Sequence, residues 1–396
     1  MRILYASERP PYPFFLGGAV RCAHMLLQGM SRDLATDCRA VGSSEYAVTP
    51  WSFPSPDEYE ALGIRGSGPP PMALLPLVGE GTQELDCGYP VRLLPDFFNA
   101  LGPFIDACRP DLVWAQMEGA REILEIARRN GVPGLYFVHD AEFDPEELRA
   151  IVAMGCRIVC GSGFLARKVL LATGCRAHVV YPPAELYFGE RGDPDGYVTM
   201  INAHKVKGLE TFLEVARRLP RVRFLLQESW KLKADALAAL QARLTELPNV
   251  TFQHRVSDMR QVYRKTRLLL APSVWEEGFG MVAVEAQSCG IPVIASARGG
   301  LPESVGDGGL LIKDYRNVDD WVAAVRSVLE YPERYADLSA RALAHARSDD
   351  FSPPELARRF LAACQAPAPG VGMMARGMRA WRRGVAGVRR WGCGVD

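Results

Sequence analysis

Two carboxylates, Glu277 and Glu285, stand eight positions apart in the run Ser273-Val-Trp-Glu-Glu-Gly-Phe-Gly-Met-Val-Ala-Val-Glu-Ala-Gln-Ser-Cys-Gly-Ile-Pro-Val293. A carboxylate accepts hydrogen bonds from two vicinal hydroxyls, so a sugar or a ribose is a natural target. Gly278 and Gly280 let backbone approach a ligand, and the run opens a helix after a buried strand. The amides of Gly280, Met281 and Val282 head that helix without intrahelical acceptors, which makes an anion site. A helix merely favoured by N-terminal acids would not require the Glu-Gly-Phe-Gly turn.

The elements that must position this run follow from the hydrophobic pattern. Short aliphatic stretches alternate with amphipathic helical ones: Arg2 to Ala6 then Gly18 to Met30, Leu112 to Ala115 then Gly119 to Arg129, Gly134 to Val138 then Pro145 to Met154. Arg157 to Cys160 precedes a helix from Phe164 with Ser162 as its N-cap, and His178 to Tyr181 closes the series. That rhythm predicts βα units and a parallel sheet. Residues 184 to 196 read as a polar linker. A second series then runs from a strand at Tyr197 to Ile201, through strands at Val222, Val250, Leu268, Pro292 and Gly309, to helices ending near Ala363. The expected fold class is α/β, with two Rossmann-like doubly wound domains facing each other across a cleft. The boundaries expected are 1–185, 186–350, a helix over 351–365 that returns to the first domain, and a basic tail over 366–396.

With 396 residues the chain is long enough for two or three domains, and 46 basic side chains balance 46 acidic ones. Zero formal charge disfavours nucleic acid as the main partner. Ten scattered cysteines without a CxxC read as reduced thiols of a cytoplasmic protein. The apolar stretch from Ile3 to Ala6 is too short for a signal peptide, and no run of roughly 18 apolar residues spans a membrane. Of the six histidines, His139 ends an apolar strand beside Asp140, where doubly wound sheets place ligand contacts. His204 and His254 lie at strand ends near the donor side, while His24, His178 and His345 read as ordinary helix or strand positions.

The run around Glu277 and Glu285 resembles the retaining glycosyltransferases of family 4, whose fold is the glycosyltransferase B type. Their hallmark is two glutamates separated by seven residues, with the flanking Gly-Phe-Gly and the Ala-x-x-x-Gly-x-Pro-Val pattern that Ala286 to Val293 supplies. Lys207-Gly208 resembles the lysine that holds the donor diphosphate, and Arg298-Gly-Gly-Leu-Pro-Glu303 resembles the turn beyond the next strand. Val250 to Val256 resembles the segment whose backbone edges the base, Gly17-Gly18 the glycine-rich phosphate loop, and His139-Asp140 the active-site histidine. The resemblance covers residues 1 to 363 and is strongest in the second half. It implies catalytic roles for His139, Glu277 and Lys207, and donor contacts from Gly17, Gly18, Asn202, Arg255, Val256, Gly278, Phe279, Gly280, Met281, Val282 and Glu285.

The implied reaction moves a sugar from a nucleoside diphosphate donor, of UDP or GDP type, to an acceptor hydroxyl or similar nucleophile with retention. Positive charge builds at the anomeric carbon and negative charge on the leaving diphosphate, so a cationic, amide-lined pocket is the stabilising environment. Lys207 and the amides of Gly280 to Val282 fill that role without a cofactor. No Asp-x-Asp lies in a suitable loop, and no catalytic metal is expected. One position departs from the family: Asn202 stands where an arginine usually precedes the diphosphate lysine by five. Lys205 or His204 compensates, or the chain is a catalytically weak or silent sugar-nucleotide-binding protein on the same scaffold.

Two segments fall outside the rhythm. Residues 43 to 95, dense in proline and glycine, read either as a tolerated insertion or as a loop that shapes the acceptor site. Residues 366 to 396 carry six arginines against one aspartate, around Met374, Met378, Trp381, Val385 and Val388 at helical spacing. A basic amphipathic helix of this kind lies on an anionic membrane, here the inner face, or docks on the acidic body of the protein.

Overall fold

The computed structural model describes residues 1–15, 17–45, 85–256 and 258–368, and two largely parallel sheets organise them. The first contains β1 (Arg2–Ser7), β2 (Asp37–Ser43), β3 (Leu85–Asp86), β4 (Pro90–Leu94), β5 (Leu112–Gln116), β6 (Gly134–Val138), β7 (Arg157–Cys160) and β8 (His178–Val179), in the order β3-β4-β2-β1-β5-β6-β7-β8. Short β3 pairs antiparallel with β4, and the other pairings are parallel. The connecting helices are α1 (Gly18–Asp33), α2 (Phe97–Cys108), α3 (Ala120–Arg129), α4 (Pro145–Ala153) and α5 (Gly163–Thr173). Every residue of β5 is buried, as expected of a strand covered by helices on both faces.

The second sheet contains β9 (Tyr197–Ile201), β10 (Phe224–Gln227), β11 (Val250–Gln253), β12 (Thr266–Ala271), β13 (Val293–Ser296) and β14 (Gly309–Ile312), in the order β11-β10-β9-β12-β13-β14 with parallel pairings throughout. Around it lie α6 (Leu209–Arg218), α7 (Ala234–Leu244), α8 (Arg260–Tyr263), α9 (Met281–Ser288), α10 (Leu301–Val305), α11 (Val318–Leu329) and α12 (Pro332–Ala346). In both sheets the strand order reverses beside the first strand, between β1 and β5 and between β9 and β12. A doubly wound sheet binds ligands at that crevice, outside the carboxyl ends of the strands. The chain thus has two Rossmann-like halves, and a cleft separates their switch points.

The last helix, α13 (Pro353–Gln365), leaves the second sheet and packs on α1 and the first. Phe360 is fully buried there, its ring 4.5 Å from Trp114 and 5.6 Å from Phe137. The chain therefore crosses between the halves twice, through residues 180–188 and 346–352. Tyr181, Phe279 and Phe351 stack at these crossings, with centroids 4.7 Å apart for Tyr181–Phe279 and 5.8 Å for Tyr181–Phe351.

Several elements depart from the sequence reading. Part of the stretch expected to be loop, Pro90–Leu94, is a parallel strand beside β2, and β2 and α2 have no counterpart in the expected rhythm. Pro103 sits inside α2 and conceals it, because an internal proline removes a helix hydrogen bond. Phe97, Leu101, Ile105 and Cys108 nonetheless bury one face of that helix. Most of the expected acceptor loop, residues 46–84, and most of the basic tail, residues 369–396, lie outside the described residues.

Candidate active site

The cleft encloses about 680 Å³, and both switch points contribute to its walls. From the first half come Gly17 and Gly18 after β1, Met117 after β5 and His139 and Asp140 after β6. From the second come Asn202 and Lys207 after β9, Arg255 and Val256 after β11, and Ser273, Glu277 to Val282 and Glu285 around the start of α9. The structure thus brings together all the residues singled out from the sequence as catalytic or donor-binding. His204 and His254 are outside this wall: His204 packs edge-on to Trp230, and His254 turns its largely exposed ring to Glu228 at 3.2 Å.

Two helix N-termini converge here. Gly280 opens α9 at φ +98, a left-handed conformation that glycine adopts without strain. Ala283 donates back to its carbonyl at 3.0 Å, leaving the amides before Ala283 at the head of the helix. Opposite, Gly18 begins α1, and a β-carbon on it would lie 2.9 Å from the Met281 methyl group. Gly278 lines the cleft and also meets the other half: a β-carbon there would lie 1.9 Å from the His139 carbonyl oxygen, so its lack of a side chain lets the halves touch. The Phe279 ring, expected at the donor, is buried in the aromatic stack at the crossings.

Lys207 ends a short 3-10 turn, and its Nζ donates to both Glu277 carboxylate oxygens at 2.8 Å. The Ser273 hydroxyl also donates to Glu277, at 2.8 Å, and the Trp230 ring lies 5.1 Å from the Lys207 ammonium. One cation is therefore fixed between a carboxylate and an aromatic face. Asn202 holds φ +78, which asparagine tolerates better than most residues, and its buried Oδ1 has no partner among the described residues.

Glu285 projects from the second turn of α9, where the Tyr263 hydroxyl donates to it at 2.7 Å. Burial pushes its pKa up to about 7 despite that bond. His139 shares a 2.7 Å hydrogen bond with Gln116 through Nε2. Gln116 uses its amide nitrogen on the Ala19 carbonyl at 2.8 Å and the Tyr5 hydroxyl at 3.1 Å, so its oxygen accepts from His139. That fixes the His139 proton on Nε2 and leaves Nδ1 as an acceptor. Desolvation pulls the imidazole pKa down to about 3, which keeps the ring neutral.

Sequence reasoning missed Gln116, Ser273, Trp230, Tyr263 and Glu228. Gln116 alone left a trace, as a polar residue closing the apolar strand Leu-Val-Trp-Ala-Gln. Glu228, 5% exposed, accepts from the amides of Leu232 and Arg255 at 2.9 and 3.2 Å and so fixes the loop that carries Arg255 and Val256. Among the described residues no group of three or more His, Cys, Asp or Glu is gathered as for a metal ion, and no helix is long and apolar enough to cross a membrane.

Comparison with known proteins places this geometry. Residues 189–345 match the family described as glycosyl transferases group 1. D-inositol 3-phosphate glycosyltransferase of Rhodococcus opacus is 41% identical over 120 residues, 29% of this chain and 26% of that protein. The enzyme of that name from Mycobacteroides abscessus is 34% identical over 181 residues, 43% and 39% of the two chains. The chain thus spans well under half the length of these curated relatives. The structure of Anabaena HepE in complex with UDP matches with a TM-score of 0.70 at 18% identity, over 92% of this chain and all of that one. Sucrose-phosphate synthase of Thermosynechococcus elongatus matches with a TM-score of 0.64 at 15% identity, over 98% and 99%. Residues 189–345 thus carry the group 1 glycosyltransferase match, with the paired glutamates set in a glycosyltransferase B fold.

Proposed function

We propose that this chain transfers a sugar from a nucleoside diphosphate donor to an acceptor hydroxyl or similar nucleophile, with retention and without a catalytic metal. The observation that carries the reading is the convergence of Lys207, Glu277 and the head of α9 on one cleft. The diphosphate would lie against the α9 amides and Lys207, which stabilise the negative charge that grows as the glycosidic bond breaks. Glu285 would accept from ribose hydroxyls, and Arg255 and Val256 would edge the base. His139, with Nδ1 free of a proton, would accept from a hydroxyl of the transferred sugar. A UDP-type donor draws support from HepE, whose structures include complexes with UDP and with UDP-glucose. Retention rests on the resemblance carried by Glu277 and Glu285.

The test is nucleoside diphosphate release from a panel of UDP- and GDP-sugars, with and without EDTA, followed by the anomeric configuration of the product by NMR. Release that survives EDTA and gives a retained product is expected. The second reading, a silent donor-binding protein, is favoured by Asn202, which supplies no charge where Lys207 is already neutralised by Glu277. It gains the assignment if donors bind and none is cleaved.

A further inference from the structure

The Arg298-Gly-Gly-Leu-Pro-Glu303 turn has no part in the donor chemistry above, yet its last residue makes a polar contact between the halves. Glu303 leaves the first turn of α10 and reaches the start of α5 in the other half. Its Oε2 accepts from the Gly163 amide and its Oε1 from the Phe164 amide, both at 2.7 Å. Ser162 caps the next amide, Leu165, at 3.1 Å. The first three amides of α5 are thus satisfied, two of them by a residue 139 and 140 positions away. An ionised acceptor on helix-head amides combines charge assistance with the favourable end of the helix dipole. Gly163 also leaves room for it, since a β-carbon there would lie 3.2 Å from Oε2.

Other contacts follow the same seam. Lys168, one turn along α5, pairs with Glu276 at 2.8 Å, one residue before Glu277. Gly278 receives the His139 carbonyl, and the backbone amide of Gly300 bonds the Glu277 carbonyl at 2.7 Å. The turn that carries Glu303 is therefore tied directly to the loop that carries Glu277.

We propose that Glu303 is a positioning residue that clasps the first half onto the second and thereby sets His139 against the donor loop. It does not line the cleft and acts through the docking of α5. The inference rests on the transferase reading for its effect on turnover, but not for its effect on the docked halves.

The test compares wild-type chain with Glu303→Gln by amide hydrogen exchange and small-angle X-ray scattering. A carboxamide keeps one acceptor and turns a donor toward the second amide. Exchange at Gly163 and Phe164 is expected to rise about tenfold or more, while Leu165, still capped by Ser162, keeps its protection and the radius of gyration grows. Turnover should fall with the donor's KM nearly unchanged, because the donor contacts sit mainly in the second half. Gly278→Ala provides the second arm: its methyl would strike the His139 carbonyl and wedge the halves apart with Glu303 intact, again freeing the Gly163 and Phe164 amides. Exchange at those amides and scattering both unchanged in Glu303→Gln overturn the clasp. If Glu303→Gln does not fold, unchanged exchange and scattering in Gly278→Ala overturn it. If the wild type cleaves no donor, exchange and scattering still decide the clasp, and only the transferase reading fails.

Discussion

The ammonium of Lys207 lies 2.8 Å from both carboxylate oxygens of Glu277, and the two groups, only partly exposed, neutralise each other at the centre of the cleft. On the proposed reading a donor diphosphate would compete for that ammonium, and the pair would exchange one anionic partner for another, with Ser273 and Trp230 limiting where each group moves.

Removing either member should be costly for the reaction and mild for the fold. Lys207→Ala and Glu277→Ala are each expected to lower turnover by roughly 3 to 4 kcal/mol, about two to three orders of magnitude, as for loss of a group that stabilises developing charge. Steady-state kinetics with a saturating nucleotide sugar, alongside thermal melts, checks this. Wild-type turnover from the Lys207 variant would remove it from the mechanism.

On the proposed reading Glu285 would link donor binding to pH. A carboxylate accepts from ribose hydroxyls more fully than a protonated carboxyl, and this group titrates near pH 7. The donor's KM should therefore fall as pH rises from 6 to 8, and Glu285→Gln should raise KM at pH 8 and flatten the profile. Stability has the opposite sign. Because the folded pKa is raised, the folded chain holds a proton that the unfolded chain releases between about pH 4.5 and 7, so this group destabilises the fold progressively over that window. The Glu285→Gln variant should melt at a higher temperature than wild type at pH 8, with the advantage shrinking toward pH 5.

His139 should be silent in the pH profile. With its pKa near 3, it stays neutral from pH 5 to 8, so His139→Ala should lower kcat/KM by the same factor across that range. A factor that changes with the ionisation of a group near pH 6.5 would show the imidazole titrating in the working enzyme. Gln116→Leu removes the oxygen that fixes the His139 proton on Nε2, and should reproduce part of the loss without touching the donor.

Why some of this was legible in sequence and some not follows from the range of the interactions. Local chemistry was readable: the helix that opens at Gly280, the N-cap at Ser162 and the parallel strands at 134–138, 157–160, 197–201 and 309–312 are all set by near neighbours. Long-range partners were not. Gln116 lies 23 positions from His139, Tyr263 22 from Glu285 and Glu303 140 from Gly163, and no spacing rule joins them. Gly278 and Phe279 sit in the right motif and line the cleft, but their further contacts with the His139 carbonyl and the aromatic stack come from distant residues that no local pattern shows. Helix α2 was hidden by its own proline.

The return of α13 makes the first half depend on the chain's far end. Phe360 is fully buried against Trp114 and Phe137, so Phe360→Ala should cost about 3 to 5 kcal/mol. Denaturant unfolding should show that loss in the transition that exposes Trp114, and a variant within 1 kcal/mol of wild type would show that α13 packs more loosely than the contacts imply.

Residues 366–396 separate two readings by one experiment. If full-length chain co-sediments with anionic but not neutral vesicles, and truncation at residue 366 and added salt both abolish it, the arginines act at a membrane surface. If full-length and truncated chains bind alike, the tail is not an anchor.

Donor cleavage tests the central claim most directly. Nucleoside diphosphate release should be measured for a panel of nucleotide sugars with wild type, Lys207→Ala and Glu277→Ala, each shown to be folded. The expected result is release by the wild type from at least one donor, with loss of nearly all of it in both variants. Absence of binding and release across the panel, or equal release by wild type and the Lys207 variant, would contradict the assignment of this cleft to sugar transfer.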